Sequence, residues 1–442
     1  MGYIAKSTAP IRLKAFLVGC CDANGSLADV REYLAELGEL VDTLGVDVCG
    51  EMSVRIREPN PKFYIGSGKA EELKEAAAAA EADVIIFDDP LGPSQQRNLE
   101  KLCRKKVIDR QEVILDIFAD RAQTREAVLQ VELARCHYFL PRLTGAWSHL
   151  SRQRGGGTGA RGDGEKQIEY DRRQLKDRIS ELERELEVVR KQRSVQRKGR
   201  LRNNMPSAAI VGYTNAGKST LLNTLTASNV LAEDKLFATL DPTTRRLVLP
   251  DNTEVLLTDT VGFVRKLPHA LVEAFKSTLE EAVLADFILL ILDVSNPQAH
   301  EHWETTLSVL HELGAAEKNI IAVFNKMDLQ PDPLALLRIK SLAPDALFVS
   351  CKDGTGLDAL RERLMRQVNG AACIMKLEIP PEKAEHIALL HAKCRIFESN
   401  YCDDGKFYAV AKIAPQYFNV FDSYSVEKQT RSFNQELITC QS

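Results

Sequence analysis

Apolar residues gather in this chain in two alternating ways. Short unbroken runs at Ala15–Val18, Val84–Phe87 and Val113–Phe118 read as buried strands. Between them, Leu27–Leu44 and Ala70–Ala82 have helix-forming composition. Strands alternating with helices predict an N-terminal α/β domain with a parallel sheet, over residues 1–118. Tyr64-Ile-Gly-Ser-Gly-Lys69 superficially resembles a phosphate loop, but its glycines stand too close to the lysine. It reads as a tight turn before the helix at Ala70.

A different periodicity follows. Ala122, Glu126, Leu129, Leu133, Cys136 and Leu140 recur at spacings of 4, 3, 4, 3 and 4, and Ile168, Leu175, Ile179, Leu182, Leu186 and Val189 at 7, 4, 3, 4 and 3. Both are heptad-like stripes, with Glu126 the one member unsuited to a seam. Two such helices can fold back on each other and bury both stripes, so residues 119–205 are predicted to form a helical hairpin. The loop between them, Gly155–Gly164, holds six glycines, with Arg152, Arg154 and Arg161 around them. Glycines at that density suit a backbone that approaches another surface closely.

From Ser207 the strand–helix alternation resumes. Strands are expected at Ser207–Gly212, Arg245–Leu249, Glu254–Asp259, Phe287–Asp293, Ile320–Asn325 and Ala346–Ser350. Pro250-Asp251-Asn252 turns the second into the third, so that pair is expected to be antiparallel and the rest parallel, over residues 206–369. Residues 370–442 carry Phe397, Tyr401, Phe407, Tyr408, Tyr417, Phe418, Phe421, Tyr424 and Phe433, and are read as a small C-terminal domain with aromatics in its core.

Composition narrows the class. The chain is 44% hydrophobic and 27% charged, which excludes a fibre or a largely disordered chain. Its longest apolar run, Phe287–Leu292, is far short of the roughly 20 residues that span a bilayer. The stretch Met1–Lys14 shows no secretory h-region, and Lys6 breaks the myristoylation pattern begun by Gly2. Ten scattered cysteines without a C-x-x-C pair suit free thiols in a reducing cytosol. A cytoplasmic location is expected, with room for peripheral membrane association. The net charge of -4 hides an asymmetry: Arg142–Arg202 holds 17 Lys/Arg against 9 Asp/Glu. A basic middle in an acidic chain, with arginines among glycines at the hairpin tip, predicts contact with the phosphate backbone of RNA.

The sharpest signal is Gly212-Tyr213-Thr214-Asn215-Ala216-Gly217-Lys218-Ser219, which matches G-x-x-x-x-G-K-[ST] between a strand and a helix starting at Thr220. Its backbone N–H groups can curl round phosphates, Lys218 can reach the β- and γ-phosphates, and the Ser219 hydroxyl can bind Mg²⁺. Another strand ends in Asp259-Thr260-Val261-Gly262, where Asp259 can hold Mg²⁺ through water and the Gly262 amide can sense the γ-phosphate. The next gives Asn325-Lys326-Met327-Asp328. A carboxylate at 328 accepts from guanine N1–H and its exocyclic amine, whereas adenine offers no donor at either place. Ser350-Cys351-Lys352 closes the last strand and can offer a backbone N–H to the base oxygen. Together they predict GTP and GDP as ligands in one crevice at the strand ends.

Leu236–Thr244 lies between the first two motifs, where a threonine hydroxyl can complete the Mg²⁺ shell; Thr239, Thr243 and Thr244 all qualify. Phe263 stands where many GTPases carry a water-orienting Gln, so slow intrinsic hydrolysis is expected. Asn215 is a candidate to help hold a monovalent cation, K⁺, beside the phosphates.

These residues together resemble the HflX family of ribosome-associated GTPases, in the Obg–HflX group. Asp109-Arg110 to Phe118, Arg121-Ala-Gln-Thr-Arg-Glu126, Leu129-Gln-Val-Glu-Leu133 and Pro141-Arg142-Leu143 resemble its N-terminal signature. Gly156-Gly-Thr-Gly-Ala-Arg161-Gly-Asp-Gly-Glu165-Lys-Gln-Ile-Glu169 resembles its glycine-rich loop, although the family commonly has Pro at the place of Asp163 and Thr at that of Lys166. Phe237-Ala238-Thr239-Leu240-Asp241-Pro242 resembles its switch I, which implies Thr239 as the Mg²⁺ ligand and this segment as part of the nucleotide site. Phe263 also agrees with the family. The resemblance implies a slow GTPase, catalytic through Lys218, Thr239 and Gly262, that binds the large ribosomal subunit and its RNA, is stimulated there, splits or rescues stalled or idle ribosomes, and is a monomer when free. Two other readings of the chain are an RNA-remodelling ATPase with the G domain as regulator, although residues 1–118 show no Walker spacing, and a signalling GTPase that dimerises through its helical segment.

Overall fold

The computed structural model describes residues 12–21, 26–143, 160–201, 205–226, 236–237, 239–266, 281–369, 373–402, 405–413 and 417–429. The chain forms two compact units. One comprises Met1–Val189, Asp234–Leu240 and Lys266–Phe275, the other Arg190–Glu233, Asp241–Arg265 and Lys276–Ser442.

The first unit begins β1 (Lys14–Cys21), α1 (Leu27–Thr43), β2 (Asp47–Arg55), α2 (Ser67–Ala79), β3 (Val84–Phe87), α3 (Pro93–Cys103), β4 (Lys106–Asp109), α4 (Arg110–Arg121) and α5 (Arg125–Phe139). The four strands pair in the order β2-β1-β3-β4, all parallel as expected. Residues 113–118 are not a strand: they lie inside α4. Asp109 caps that helix by accepting from the Glu112 amide at 3.1 Å, and Val113, Ile114, Leu115, Ile117 and Phe118 are all buried. A helix buried on several sides reads as a continuous apolar run, the same signature as a buried strand. The turn at Tyr64–Gly66 precedes α2, and Tyr64 takes a left-handed φ of 68°.

Much of the N-terminal signature is an interior polar network. Arg110, 1% exposed, pairs with Asp88 at 2.8 Å and Glu36 at 3.1 Å. Asp109 accepts from the Tyr138 hydroxyl at 2.9 Å, the Leu91 amide at 3.0 Å and Arg142 at 3.2 Å. Buried charges demand such partners.

The two heptad stripes do meet. Leu129 and Cys136 of α5 form a buried cluster with Ile179, Leu182 and Leu186 of α6 (Ala160–Leu201), and Leu133, Leu140, Leu175 and Val189 pack against it. Arg125 pairs with Glu185 and Glu132 with Arg178, so advancing along α5 means retreating along α6: the helices are antiparallel. Glu126 is nonetheless buried, and Ala122 lies ahead of α5 as the C-cap of α4. The glycine-rich segment was expected as loop throughout, but residues 160–164 belong to α6. Gly155, Gly156, Gly157, Gly159, Arg152 and Arg154 lie outside the described residues.

The second unit contains β5 (Ser207–Gly212), α7 (Lys218–Thr226), β6 (Thr243–Val248), β7 (Glu254–Asp259), β8 (Phe287–Asp293), α8 (Ala299–Glu312), β9 (Asn319–Asn325), α9 (Pro333–Leu342), β10 (Leu347–Phe348) and α10 (Leu357–Asn369). The sheet order is β10-β9-β8-β5-β7-β6. Every pairing is parallel except β6 with β7, whose turn is closed by the Leu249 amide on the Thr253 carbonyl at 2.8 Å. β10 is two residues long rather than the five expected. Ile210, Leu222, Leu257, Leu289, Val323 and Leu360 are among the buried residues of its core.

The C-terminal segment folds as β11 (Cys373–Ile379), α11 (Ala384–Lys393), β12 (Arg395–Tyr401), β13 (Phe407–Ile413), α12 (Phe418–Phe421) and β14 (Ser425–Gln429), an antiparallel sheet in the order β12-β13-β11-β14. Phe407 and Phe421 are core, as expected. Phe397 and Tyr401 are not: they stand 48% and 67% exposed on the edge strand β12. Phe433 lies outside the described residues. Lys393 donates to Glu254 at 2.9 Å, holding that carboxyl below the usual range. Among the described residues no helix is long and apolar enough to cross a membrane.

Candidate nucleotide site

The loop from β5 to α7 carries the glycine-rich motif. Gly217 has a φ of 94°, and a Cβ there would collide with the Asn325 side-chain amide. That amide is a hub. Asn325 Nδ2 donates to the Ala216 carbonyl at 2.9 Å, while Asn325 Oδ1 accepts from the Cys351 amide at 3.1 Å. One buried side chain therefore joins the phosphate loop to the loop after β10. Lys218 is buried and donates to the Tyr213 carbonyl at 2.7 Å. Burial pushes its ammonium down to about 8, against the opposing pull of Asp259. Thr220 is exposed, and Asn215 is exposed with a left-handed φ of 59°.

Ser219 Oγ donates to Asp259 Oδ2 at 2.6 Å. A hydroxyl and a buried carboxylate meeting at the mouth of a phosphate loop are hard oxygen donors, which fit Mg²⁺. Among the described residues no cluster of three or more His, Cys, Asp or Glu could hold a metal, so a cation here would need phosphate and water oxygens as well. Beyond Asp259, the Thr260 hydroxyl donates to the Ile210 carbonyl at 2.7 Å, and Val261, Gly262 and Phe263 are buried.

Beyond β9 and β10, Ser350 Oγ donates to Asp328 Oδ1 at 2.9 Å, orienting the carboxylate. Lys326 takes a left-handed φ of 67° and pairs with Asp293 at 2.9 Å. The Met327 amide donates to the Val349 carbonyl at 3.3 Å. Cys351 is buried, which pushes its thiol up to about 12, and Lys352 is exposed.

The remaining expected members lie within residues 237–244. The Phe237 ring is buried edge-on against Phe118, 4.6 Å between centroids, so its side chain is a packing group. Phe237, Thr239 and Leu240 belong to the first compact unit, Ser219 and Asp259 to the second. Thr243 and Thr244 are in β6, and the Thr244 hydroxyl is bonded to that of Thr258 at 2.9 Å. Asp241 is half-buried, and Ala238 lies outside the described residues.

Sequence reasoning missed Asp293, although it ends β8 as Asp259 ends β7. It also missed the surroundings of Tyr213. That ring stacks on His302 with centroids 3.6 Å apart and planes 8° apart, and its hydroxyl accepts from the Arg265 amide at 2.7 Å. Nothing in the spacing links positions 213, 265 and 302.

A largely parallel sheet that delivers a phosphate loop, a hydroxyl–carboxylate pair and a held Asp to one end of its strands is the architecture of a P-loop GTPase. Three family descriptions match the chain: GTP-binding GTPase N-terminal over residues 31–119, GTP-binding GTPase Middle Region over 121–200, and 50S ribosome-binding GTPase over 207–326. GTPase HflX of Akkermansia muciniphila is 46% identical over 427 residues, covering 94% of this chain and 97% of that protein. GTPase HflX of Escherichia coli strain K12 is 44% identical over 353 residues, covering 80% and 83%. A crystal structure of a GTP-binding protein from Sulfolobus solfataricus in complex with GDP aligns at 27% identity with a TM-score of 0.44, over 80% of this chain and 98% of that one. The chain belongs to the HflX family of GTPases.

Proposed function

We propose that this protein hydrolyses GTP to GDP and phosphate between Lys218, Gly262 and the loop 212–219, and that it uses the GTP-bound form to bind the large ribosomal subunit and split stalled or idle ribosomes. The observation that carries the nucleotide reading is the Asn325 hub, because a single buried amide sets phosphate loop and base loops in register. Ser350 fixes Asp328 for the guanine edge. Lys218 supplies charge to the phosphates. Ser219 and, through water, Asp259 are the groups that would hold Mg²⁺. When bound, that ion would offset charge on the β- and γ-phosphates. K⁺ beside Asn215 is a second cation this reading allows. Phe263 contributes no polar atom to orient water, so turnover is slow until the ribosome supplies the missing group.

The ribosome half of the proposal is supported by family membership and by the basic middle of the chain. In this reading residues 1–118 and the hairpin 119–205 reach ribosomal RNA, residues 206–369 switch, and residues 370–442 form a small C-terminal domain. The free protein is a cytoplasmic monomer. GTP and ribosome favour the same state, so each tightens the other. Sucrose-gradient sedimentation of ribosomes with the protein and a non-hydrolysable GTP analogue tests this. The protein should travel with the large subunit while the intact-ribosome peak shrinks. Arg154→Ala with Arg161→Ala should weaken that co-sedimentation and leave GTP affinity intact. Protein remaining at the top of the gradient would refute the proposal.

A further inference from the structure

β8 lies between β9 and β5 in the sheet, and Asp293 is its last residue. In register it stands opposite Asn325, two residues beyond the pair that Ile291 makes with Gly212. A carboxylate is therefore set at the strand ends between the phosphate loop and the segment Asn325–Asp328. Its two oxygens have different tasks. Oδ1 accepts from the Ser295 amide at 2.9 Å and from the Ser295 hydroxyl at 2.6 Å, a turn in which the side chain closes on the backbone two residues ahead. Oδ2 faces Lys326 Nζ at 2.9 Å.

Lys326 is held in an uncommon conformation. Its backbone is left-handed, with φ 67° and ψ 35°, which an L side chain adopts only where its surroundings impose it. Asn325 secures one side of that residue through its bonds to Ala216 and Cys351, and the Met327 amide on the Val349 carbonyl secures the other. Those bonds fix the backbone and leave the side chain free. The lysine stem is flexible, and its ammonium is anchored by Asp293. A long side chain that is ordered before a ligand arrives loses no further freedom on binding, which raises affinity. We propose that Asp293 is a positioning residue for nucleotide affinity: it holds the Lys326 ammonium so that this side chain is in place before GTP or GDP arrives. The inference rests on the GTP reading, in which Asn325–Asp328 takes the nucleoside end. That end is common to both nucleotides, so Asp293 acts on both alike.

Asp293→Asn and Asp293→Glu in the full chain test it, with Kd for GDP and for a non-hydrolysable GTP analogue measured by calorimetry with Mg²⁺. Asn keeps the acceptor that serves Ser295 and loses the charge. Glu keeps the charge, which the flexible lysine can follow, and lengthens the arm that closes the turn. In Asp293→Asn the Kd should rise by about two- to tenfold for both nucleotides, the range for ordering one long side chain, and in Asp293→Glu it should stay within about twofold of wild type. A merely structural turn would give the reverse order. That reverse order, equal losses in both variants, an unchanged Asp293→Asn, or a change confined to one nucleotide overturns the proposal. Lysine acylation in the nucleotide-free protein, read by mass spectrometry, gives a second measure. Lys326 should be modified faster in Asp293→Asn than in wild type, with Lys340 unchanged; an equal rate at Lys326 overturns the anchor. If the wild type bound neither nucleotide, the reading of the site itself would fall and this role with it.

Discussion

The Ser219 hydroxyl and the Asp259 carboxylate are 2.6 Å apart, joining the start of α7 to the end of β7. Removing the hydroxyl removes one of the few hard oxygens the chain offers a divalent ion. Ser219→Ala should lower GTP turnover by about tenfold or more, the scale of one lost charge-assisted contact. It should also raise the Mg²⁺ concentration at half-maximal rate. A hydrolysis assay across a Mg²⁺ titration reads both quantities, and a superimposable curve would contradict the assignment.

Lys218 makes the site sensitive to alkali. Burial brings its ammonium to about 8 from the roughly 10.4 of an exposed lysine, so the free protein loses that charge above pH 8. Phosphates restore it. Nucleotide affinity should therefore fall as pH rises past 8, by up to about tenfold per unit, with proton uptake on binding. Calorimetry in buffers of different ionisation enthalpy detects that uptake. The same group acts on folding in the opposite sense. Between pH 8 and about 10.4 the unfolded chain binds more protons, so this lysine's penalty, full below pH 8, is relieved as pH rises. A Kd flat from pH 7 to 9.5 would remove the argument.

Guanine selection should depend on a carboxylate and on what orients it. Asp328→Asn replaces an acceptor with a donor facing guanine N1–H or its amine, and should cost about a hundredfold in GTP affinity while improving xanthine nucleotides. Ser350→Ala, which frees the Asp328 side chain, should cost about two- to tenfold. Competition between GTP and XTP for the site measures both, and unchanged discrimination in the Asn variant would count against Asp328 as the base reader.

The hairpin has its own test. Leu182 is fully buried at the centre of the α5–α6 seam. Leu182→Ala should destabilise that pair by about 2–5 kcal/mol. Thermal unfolding followed by circular dichroism should show it, with GTP binding retained. An unchanged transition would mean that the seam contributes little.

Much of this was legible in the sequence, for definite physical reasons. The second unit has long apolar strands ending in motifs whose spacing phosphate chemistry dictates, so its mostly parallel sheet and its antiparallel pair follow from connection lengths. The heptads at 129–140 and 175–189 announced a seam because only a paired helix buries such a stripe. The first unit was harder. β2 is an edge strand, mostly exposed or half-buried over Asp47–Arg55, and shows no apolar run at all. Residues 113–118 looked like a strand because α4 is buried on several sides, and the deciding signal was the cap at Asp109. The surroundings of Tyr213 were invisible because its partners are 52 and 89 residues away and one of them is a backbone amide.

Cys351 stands in the loop after β10 that Asn325 ties to the phosphate loop, yet its burial has a protective effect. Thiols react through their thiolates, and a group raised to about 12 supplies almost none at neutral pH. Alkylating agents and peroxides should therefore spend themselves on more accessible sulfur before they reach this loop, so nucleotide recognition should outlast an oxidative insult to the rest of the chain.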